Sequence, residues 1–204
     1  MRTILVTGFE SFGKDSVNPT VKMVEELPDE YAGYSIRKLI LPVSFERAPE
    51  EAMDALRGLK PSAVVSFGLA GGRKGITVER IAVNCKDARM ADNDGAEPED
   101  EPVRADGPAA YFSTLPIKKI VAALEEERLE ASVSNSAGTF VCNCLMYSLL
   151  DSIAAEGRPV PCGFVHVPYL DSMGHPEAPS MDEESVRRAG ETVIRTVAQY
   201  LSER

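Results

Sequence analysis

Histidine is almost missing from this chain: among 204 residues there are only two, His166 and His175. A reaction that needs an imidazole base therefore has two candidates and no more. Cysteine is sparse too. Cys85, Cys142, Cys144 and Cys162 fall short of the density of a secreted disulfide scaffold, and a chain this long needs no covalent staples, so a reducing cytoplasm is expected. Eighteen consecutive apolar residues occur nowhere, and Met1-Arg2-Thr3-Ile4-Leu5-Val6 has no long apolar stretch behind its basic start. Neither a membrane span nor a signal peptide is expected. Positive charge is in deficit, with 22 Lys and Arg against 32 Asp and Glu and a net charge of -10. Phosphate backbones and anionic membrane surfaces would be repelled, which argues against nucleic acid or membrane partners.

What is present suffices for a core. A hydrophobic content of 44% over 204 residues predicts one compact domain, residues 1–204, with two or three layers. Thr3 to Thr7 is an apolar run stopped by Gly8, and Val21, Val24 and Leu27 follow at helical spacing. Ile36 to Val43 predicts a second strand. Ser44 to Leu59 predicts a helix behind a Ser44 cap, with Phe45, Ala48, Ala52, Leu56 and Leu59 on one face. Further strands are expected over Ala63–Phe67, Ile76–Val83, Ala131–Ser134 and Gly163–Val167, and helices over Ile117–Glu127, Cys142–Ala155 and Met181–Leu201. This alternation predicts an α/β domain with helices on both faces of a largely parallel sheet. Met90 to Pro108 interrupts it with Asn93-Asp94-Gly95, three prolines and many acids. The segment reads as a long surface loop, either a solvated excursion or the border of an active site.

The strongest chemical signal is Ser134-Asn135-Ser136-Ala137-Gly138-Thr139-Phe140-Val141-Cys142-Asn143, a strand end and small-residue turn that deliver a cysteine to a helix start. Free N–H groups there lower a thiol pKa and can hold an oxyanion; a buried structural cysteine is the other reading. His166 interrupts the apolar strand Gly163-Phe164-Val165-His166-Val167 near its C-terminal end, where catalytic groups gather in open α/β sheets, although a satisfied core histidine fits the same pattern. His175, in Met173-Gly174-His175-Pro176, reads as exposed. Glu79 sits among apolar neighbours in Thr77-Val78-Glu79-Arg80-Ile81. Alternation alone would send it to water with Thr77, whereas a cysteine–histidine pair needs a carboxylate to hold the imidazole tautomer. Arg89 either anchors a polar ligand group or pairs with Asp87. Zinc would need Cys142, Cys144, Cys162 and His166, and Cys-x-Cys at a helix start diverges where structural sites use Cys-x₂₋₄-Cys. Thr7-Gly8-Phe9-Glu10-Ser11-Phe12-Gly13 hints at a phosphate loop but has neither G-x-G-x-x-G nor a G-K-[ST] ending.

Several of these segments together resemble the pyroglutamyl peptidase type I, or pyrrolidone carboxyl peptidase, family over nearly the whole chain. They are Val6 to Gly13 with Asn18-Pro19, Gly68 to Asn84, Tyr111 to Pro116, Ser134 to Asn143 and His166-Val167-Pro168-Tyr169. The resemblance implies a three-layer α/β/α sandwich with a largely parallel twisted sheet, no cofactor, no metal, and removal of N-terminal pyroglutamyl residues from peptides. It implies Cys142 as nucleophile, His166 as base and Glu79 as acid, with Phe9, Phe12, Phe140 and Val141 around the lactam and Arg89 near the active centre. It also implies a homo-oligomer, dimer or tetramer. Cys144 stands where relatives commonly carry a bulkier residue such as tyrosine, and Leu69 occupies a position that some members fill with glutamine. A cysteine hydrolase of another small amide, or an inert binding domain on the same fold, are the alternatives.

Overall fold

The structure, a computed structural model, describes residues 2–203; the ends of the expected 1–204 domain, Met1 and Arg204, lie outside the described residues. Its central sheet takes strands from along the chain. They are β1 (Thr3–Phe9), β2 (Glu30–Tyr31), β3 (Tyr34–Leu41), β4 (Ala63–Leu69), β5 (Ile76–Glu79), β8 (Ala131–Ser134) and β9 (Cys162–Val167), in the spatial order β2-β3-β1-β4-β9-β5-β8. A separate ribbon pairs β6 (Ile81–Val83) with β7 (Ala110–Phe112), and β10 (Tyr169–Leu170) pairs with β11 (Ser180–Met181). The helices are α1 (Pro19–Glu25), α2 (Arg47–Leu59), α3 (Ile117–Glu126), α4 (Val141–Ala155) and α5 (Glu183–Ser202).

Side-chain alternation divides the interior into two cores. Ile4 and Val6 of β1, Val65 and Phe67 of β4, and Val165 and Val167 of β9 face α1, α3 and α5. Leu5, Val64 and Phe164 point the other way, against Ala48, Ala52 and Leu56 of α2 and Leu145 and Leu149 of α4. Removing this apolar surface from water is the main force joining the layers. The expected three-layer sandwich is therefore present.

Pairing is parallel through β3, β1, β4 and β9, and again between β5 and β8. β5 nevertheless runs antiparallel to β9, with Thr77 opposite His166. The single strand expected over Ile76–Val83 is in fact two: β5 is buried at every residue inside the sheet, and past Arg80 the chain leaves to form the β6–β7 ribbon. Alternation read as one half-buried strand sent Glu79 toward water; covered on both faces, it has no exposed surface at all. The helix after Pro42 also starts later than expected, at Arg47, and Ser44 Oγ accepts from the Arg47 amide at 3.1 Å across an irregular lead-in.

Side-chain amides and carboxylates hold the irregular segments. Asn143, fully buried on α4, accepts from the Val83 N–H and donates to the Val83 and Cys85 carbonyls, each at 2.9 Å. The Met90 to Pro108 segment lacks helix and strand but is pinned. Asp92 accepts from the amides of Phe45, Asp94 and Ala96, and Asn93 donates to Ser11 O at 3.0 Å. It thereby buttresses the loop that carries Phe12. Replacing Asn143 by alanine leaves the Val83 N–H and the Cys85 carbonyl without this partner, while the Val83 carbonyl keeps the Cys85 amide at 2.9 Å; a buried unpaired group costs about 1–3 kcal/mol. For Asn143→Ala we expect a Tm lower by roughly 2–12 °C in calorimetry, and an unchanged Tm would show that the clamp adds nothing.

Candidate active site

Cys142 stands on the first turn of α4, whose N-cap residue Phe140 is extended and supplies no side-chain acceptor. The first intrahelical bond runs from the Cys144 amide to Phe140 O at 3.1 Å. Earlier N–H groups of the turn are therefore oriented for a ligand oxygen, as at any uncapped helix start. α4 lies over the sheet face from which His166 projects. The Cys142 sulphur is seated above Gly68, which faces His166 in the β4–β9 ladder. A Cβ on Gly68 would come within 2.9 Å of Cys142 Sγ and 2.7 Å of the Phe164 ring, so only glycine leaves room for the thiol there.

His166 is buried, and its Nδ1 is 2.8 Å from Glu79 Oε1. Because Thr77 is opposite His166 on β9, Glu79 two residues on shares its face and reaches it diagonally. Phe164 leans on the imidazole with ring centroids 4.7 Å apart. With Glu79 ionised, the Nδ1–H donates to the carboxylate, which leaves Nε2 to accept a proton.

Burial pushes the Glu79 carboxyl upward, but the hydrogen bond and charge of His166, the Ser134 hydroxyl and Arg73 hold it below its ordinary value. Burial also lowers the basicity of His166 against the opposing pull of Glu79, so the resting imidazole is neutral. The Cys142 thiol is pushed up to about 12 by burial and by the Glu79 charge, with Arg73 and its own backbone N–H opposing. The helix start was expected to lower this value; desolvation outweighs it. At rest the pair is thiol and imidazole.

Phe9, Phe12, Phe140, Val141, Cys142 and His166 line one cleft of about 170 Å³, close to the ~150 Å³ apolar cavity that admits a benzene ring. Phe12 and Phe45 flank Phe140 at centroid distances of 6.2 and 5.1 Å. Leu69 and Asn18 complete the walls. The Asn18 side chain accepts from Thr20 and donates to Glu10 O at 2.9 Å, which keeps the α1 start against β1. Glu79 stands behind His166, outside the cleft. Arg89 is exposed and is not among the lining residues. His175 lies apart, stacked on Tyr169 and 2.8 Å from Asp15 Oδ1. The sequence reading passed over Arg73, which lines the cleft and contacts Glu79. The cationic pair Arg73-Lys74, placed after a Gly-Gly turn at the C-terminal end of a buried strand, was the available signal.

Comparison with known proteins points to one family. A family model described as pyroglutamyl peptidase matches residues 2–200. The pyrrolidone-carboxylate peptidase of Thermococcus onnurineus is 47% identical over 195 residues, covering 95% of this chain and 97% of that protein. Pyrrolidone-carboxylate peptidase 1 of Caldanaerobacter subterraneus subsp. tengcongensis is 44% identical, covering 98% and 99%. The solved structure of the pyrrolidone carboxyl peptidase from Thermococcus litoralis superposes with a TM-score of 0.94 at 39% identity, covering 100% of this chain and 96% of that one.

The buried pair fixes the sign of a pH effect. His166 binds its proton more weakly when folded, so below the ordinary value of 6.5 the unfolded chain takes up a proton that the folded chain does not. Stability falls on acidification, by up to about 1.4 kcal/mol per pH unit for one proton. Glu79 adds a term of the same sign, complete above the ordinary carboxylate range and lost as pH falls through its lowered folded value. Urea midpoints should decline below about pH 6.5, and His166→Gln should flatten the first part of that decline. A slope identical in wild type and variant would contradict the assignment.

Proposed function

The chain belongs to the pyroglutamyl peptidase family, and from that premise we propose that Cys142, His166 and Glu79 carry out the family's reaction, removal of an N-terminal pyroglutamyl residue from a peptide. The observation that carries this reading is one apolar cleft, sized for a small ring, with a thiol and a neutral imidazole on its wall and a carboxylate behind the imidazole. His166 Nε2 takes the Cys142 proton as sulphur attacks the carbonyl that joins the pyroglutamyl ring to the next residue. The N–H groups of the first turn of α4 receive the oxyanion. Collapse forms a pyroglutamyl thioester and passes the proton from His166 to the leaving amine; His166 then draws a proton from the water that attacks the thioester and returns it to the Cys142 sulphur as the S–C bond breaks and the free acid leaves. Glu79 holds the tautomer and stabilises the transient imidazolium.

Phe9, Phe12, Phe140 and Val141 would enclose the ring. Arg89, exposed and away from the lining, suits contact with residues beyond the scissile bond better than contact with the lactam. Cysteine chemistry on another small amide and an inert binding domain are the less favoured readings. The two cores share one sheet, which supports a single catalytic domain. Four free thiols fit a cytoplasmic setting, and no helix among the described residues is long and apolar enough to cross a membrane. We further propose a homo-oligomer, dimer or tetramer. Phe112 is 66% exposed, and Phe112→Glu should lower the mass measured by light scattering if that surface joins copies.

Cys142→Ala should abolish turnover of a pyroglutamyl chromogenic amide, and His166→Ala should lower the rate at least about a hundredfold. Cys85→Ser and His175→Ala should stay near wild type. Selectivity tests the cleft itself. A prolyl amide leaves the lactam's partners unpaired, at roughly 1–3 kcal/mol each, and buries an ammonium among phenylalanines. Sites that pair a buried polar group discriminate by about 10⁴ or more, so pyroglutamyl amides should exceed prolyl amides in kcat/KM by at least about a thousandfold. Comparable values would remove the substrate assignment even with the three catalytic residues intact.

A further inference from the structure

Arg73 is the charged residue of the cleft with no part in the reaction just described. It follows Gly71 and Gly72 beyond the end of β4, and its amide closes a turn on Ala70 O at 3.3 Å. Its side chain is 28% exposed, but its guanidinium is directed inward. Nη1 donates to the Glu79 carboxylate, to Thr77 Oγ1 at 2.7 Å and to Ser134 Oγ at 3.2 Å; Nη2 donates to Ser136 O at 2.8 Å. These partners lie on β5 and on the strand end and turn that run into Cys142. One planar group thus joins the acid behind the base to the backbone that delivers the nucleophile, and a rigid fork does this where a flexible ammonium cannot.

We propose that Arg73 is a positioning residue for the peptidase reaction, keeping Glu79 ionised on His166 and locking the Ser134–Ser136 turn so that Cys142 meets the imidazole. The inference rests on the catalytic assignment above and deepens it. Glu79 Oε1 serves both His166 and Arg73, while Oε2 is buried without a hydrogen-bond partner among the described residues. A carboxylate so poorly solvated stays charged only if a cation compensates it. The groups facing Glu79 are Arg73, His166 on β9, Ser134 on β8 and the Cys142 thiol on α4; only Arg73 carries a fixed positive charge. Were Glu79 to protonate, its O–H would donate to Nδ1, the ring proton would move to Nε2, and no lone pair would face the thiol.

The test compares Arg73→Gln with Arg73→Lys, assayed on a pyroglutamyl chromogenic amide across pH, with Cys142→Ala and His166→Ala alongside. Arg73→Gln should lower kcat at least about tenfold with KM changed less than about threefold. The acid limb of its kcat/KM profile should move up by about one pH unit or more, because a carboxyl that loses an adjacent cation gains that much proton affinity. Losing Arg73 also raises the basicity of His166, which moves the limb the same way. Arg73→Lys keeps charge without the fork: its limb should stay near wild type while kcat remains reduced, and this holds the test open if Arg73→Gln does not fold. A KM effect with kcat preserved, a lowered kcat with the limb unmoved in Arg73→Gln, or wild-type behaviour would each overturn the proposal. If Cys142→Ala and His166→Ala are inactive while Arg73→Gln is normal, this inference alone fails; if they remain active, the catalytic assignment fails.

Discussion

A carboxylate with no surface in water, hydrogen-bonded at 2.8 Å to an imidazole that is itself buried, is the constraint around which the catalytic face is arranged. Isolated, the charge of Glu79 would be expelled or neutralised by its own desolvation. It persists because His166, Ser134 and Arg73 converge on it from three different segments. The thiol feels the same field with the opposite sign: Glu79 and burial hold Cys142 neutral. The resting site therefore stores no thiolate, and in the proposed reaction the nucleophile forms only as a proton leaves for the imidazole.

That convergence follows from one topological choice. Four parallel strands bring His166 and Gly68 to the edge where α/β sheets place ligands. Had β5 continued the parallel order, its residues would have advanced alongside β9 rather than against it. Running antiparallel instead, it sets Thr77 against His166 and Glu79 one diagonal step away, then returns parallel to β8, where Glu79 pairs in register with Ser134. Ser134 begins the turn that ends at Cys142. The proposed acid, base and nucleophile are thus linked through neighbouring backbone ladders, and Gly68 supplies the gap into which the sulphur fits.

Much of this was legible in the sequence, for identifiable reasons. Buried parallel strands such as Ala63–Leu69 and Cys162–Val167 read as continuous apolar runs, and α5 declares itself by its periodicity. Cys142 and His166 were legible as candidates, a cysteine at a helix start and a polar break in an apolar strand, each with a structural reading beside the catalytic one. Glu79 was marked as the carboxylate such a pair needs, but its burial was not legible, because alternation within Ile76–Val83 hid the break at Arg80 between a covered strand and a ribbon outside the sheet. β2, β7, β10 and β11 are two or three residues long, too short to establish a period. Arg73 escaped notice because its role depends on where a glycine turn sends its side chain, which no spacing encodes.

The central claim is that Cys142 carries the acyl group, and it can be read directly. Acid quenching of the enzyme during turnover of a pyroglutamyl amide, followed by proteolysis and tandem mass spectrometry, would locate any thioester. The account predicts one pyroglutamyl group on Cys142, none on neighbouring Cys144, and none anywhere in His166→Ala at the same time point. An acyl group on a different residue, or steady turnover by an enzyme that is never acylated, would contradict it.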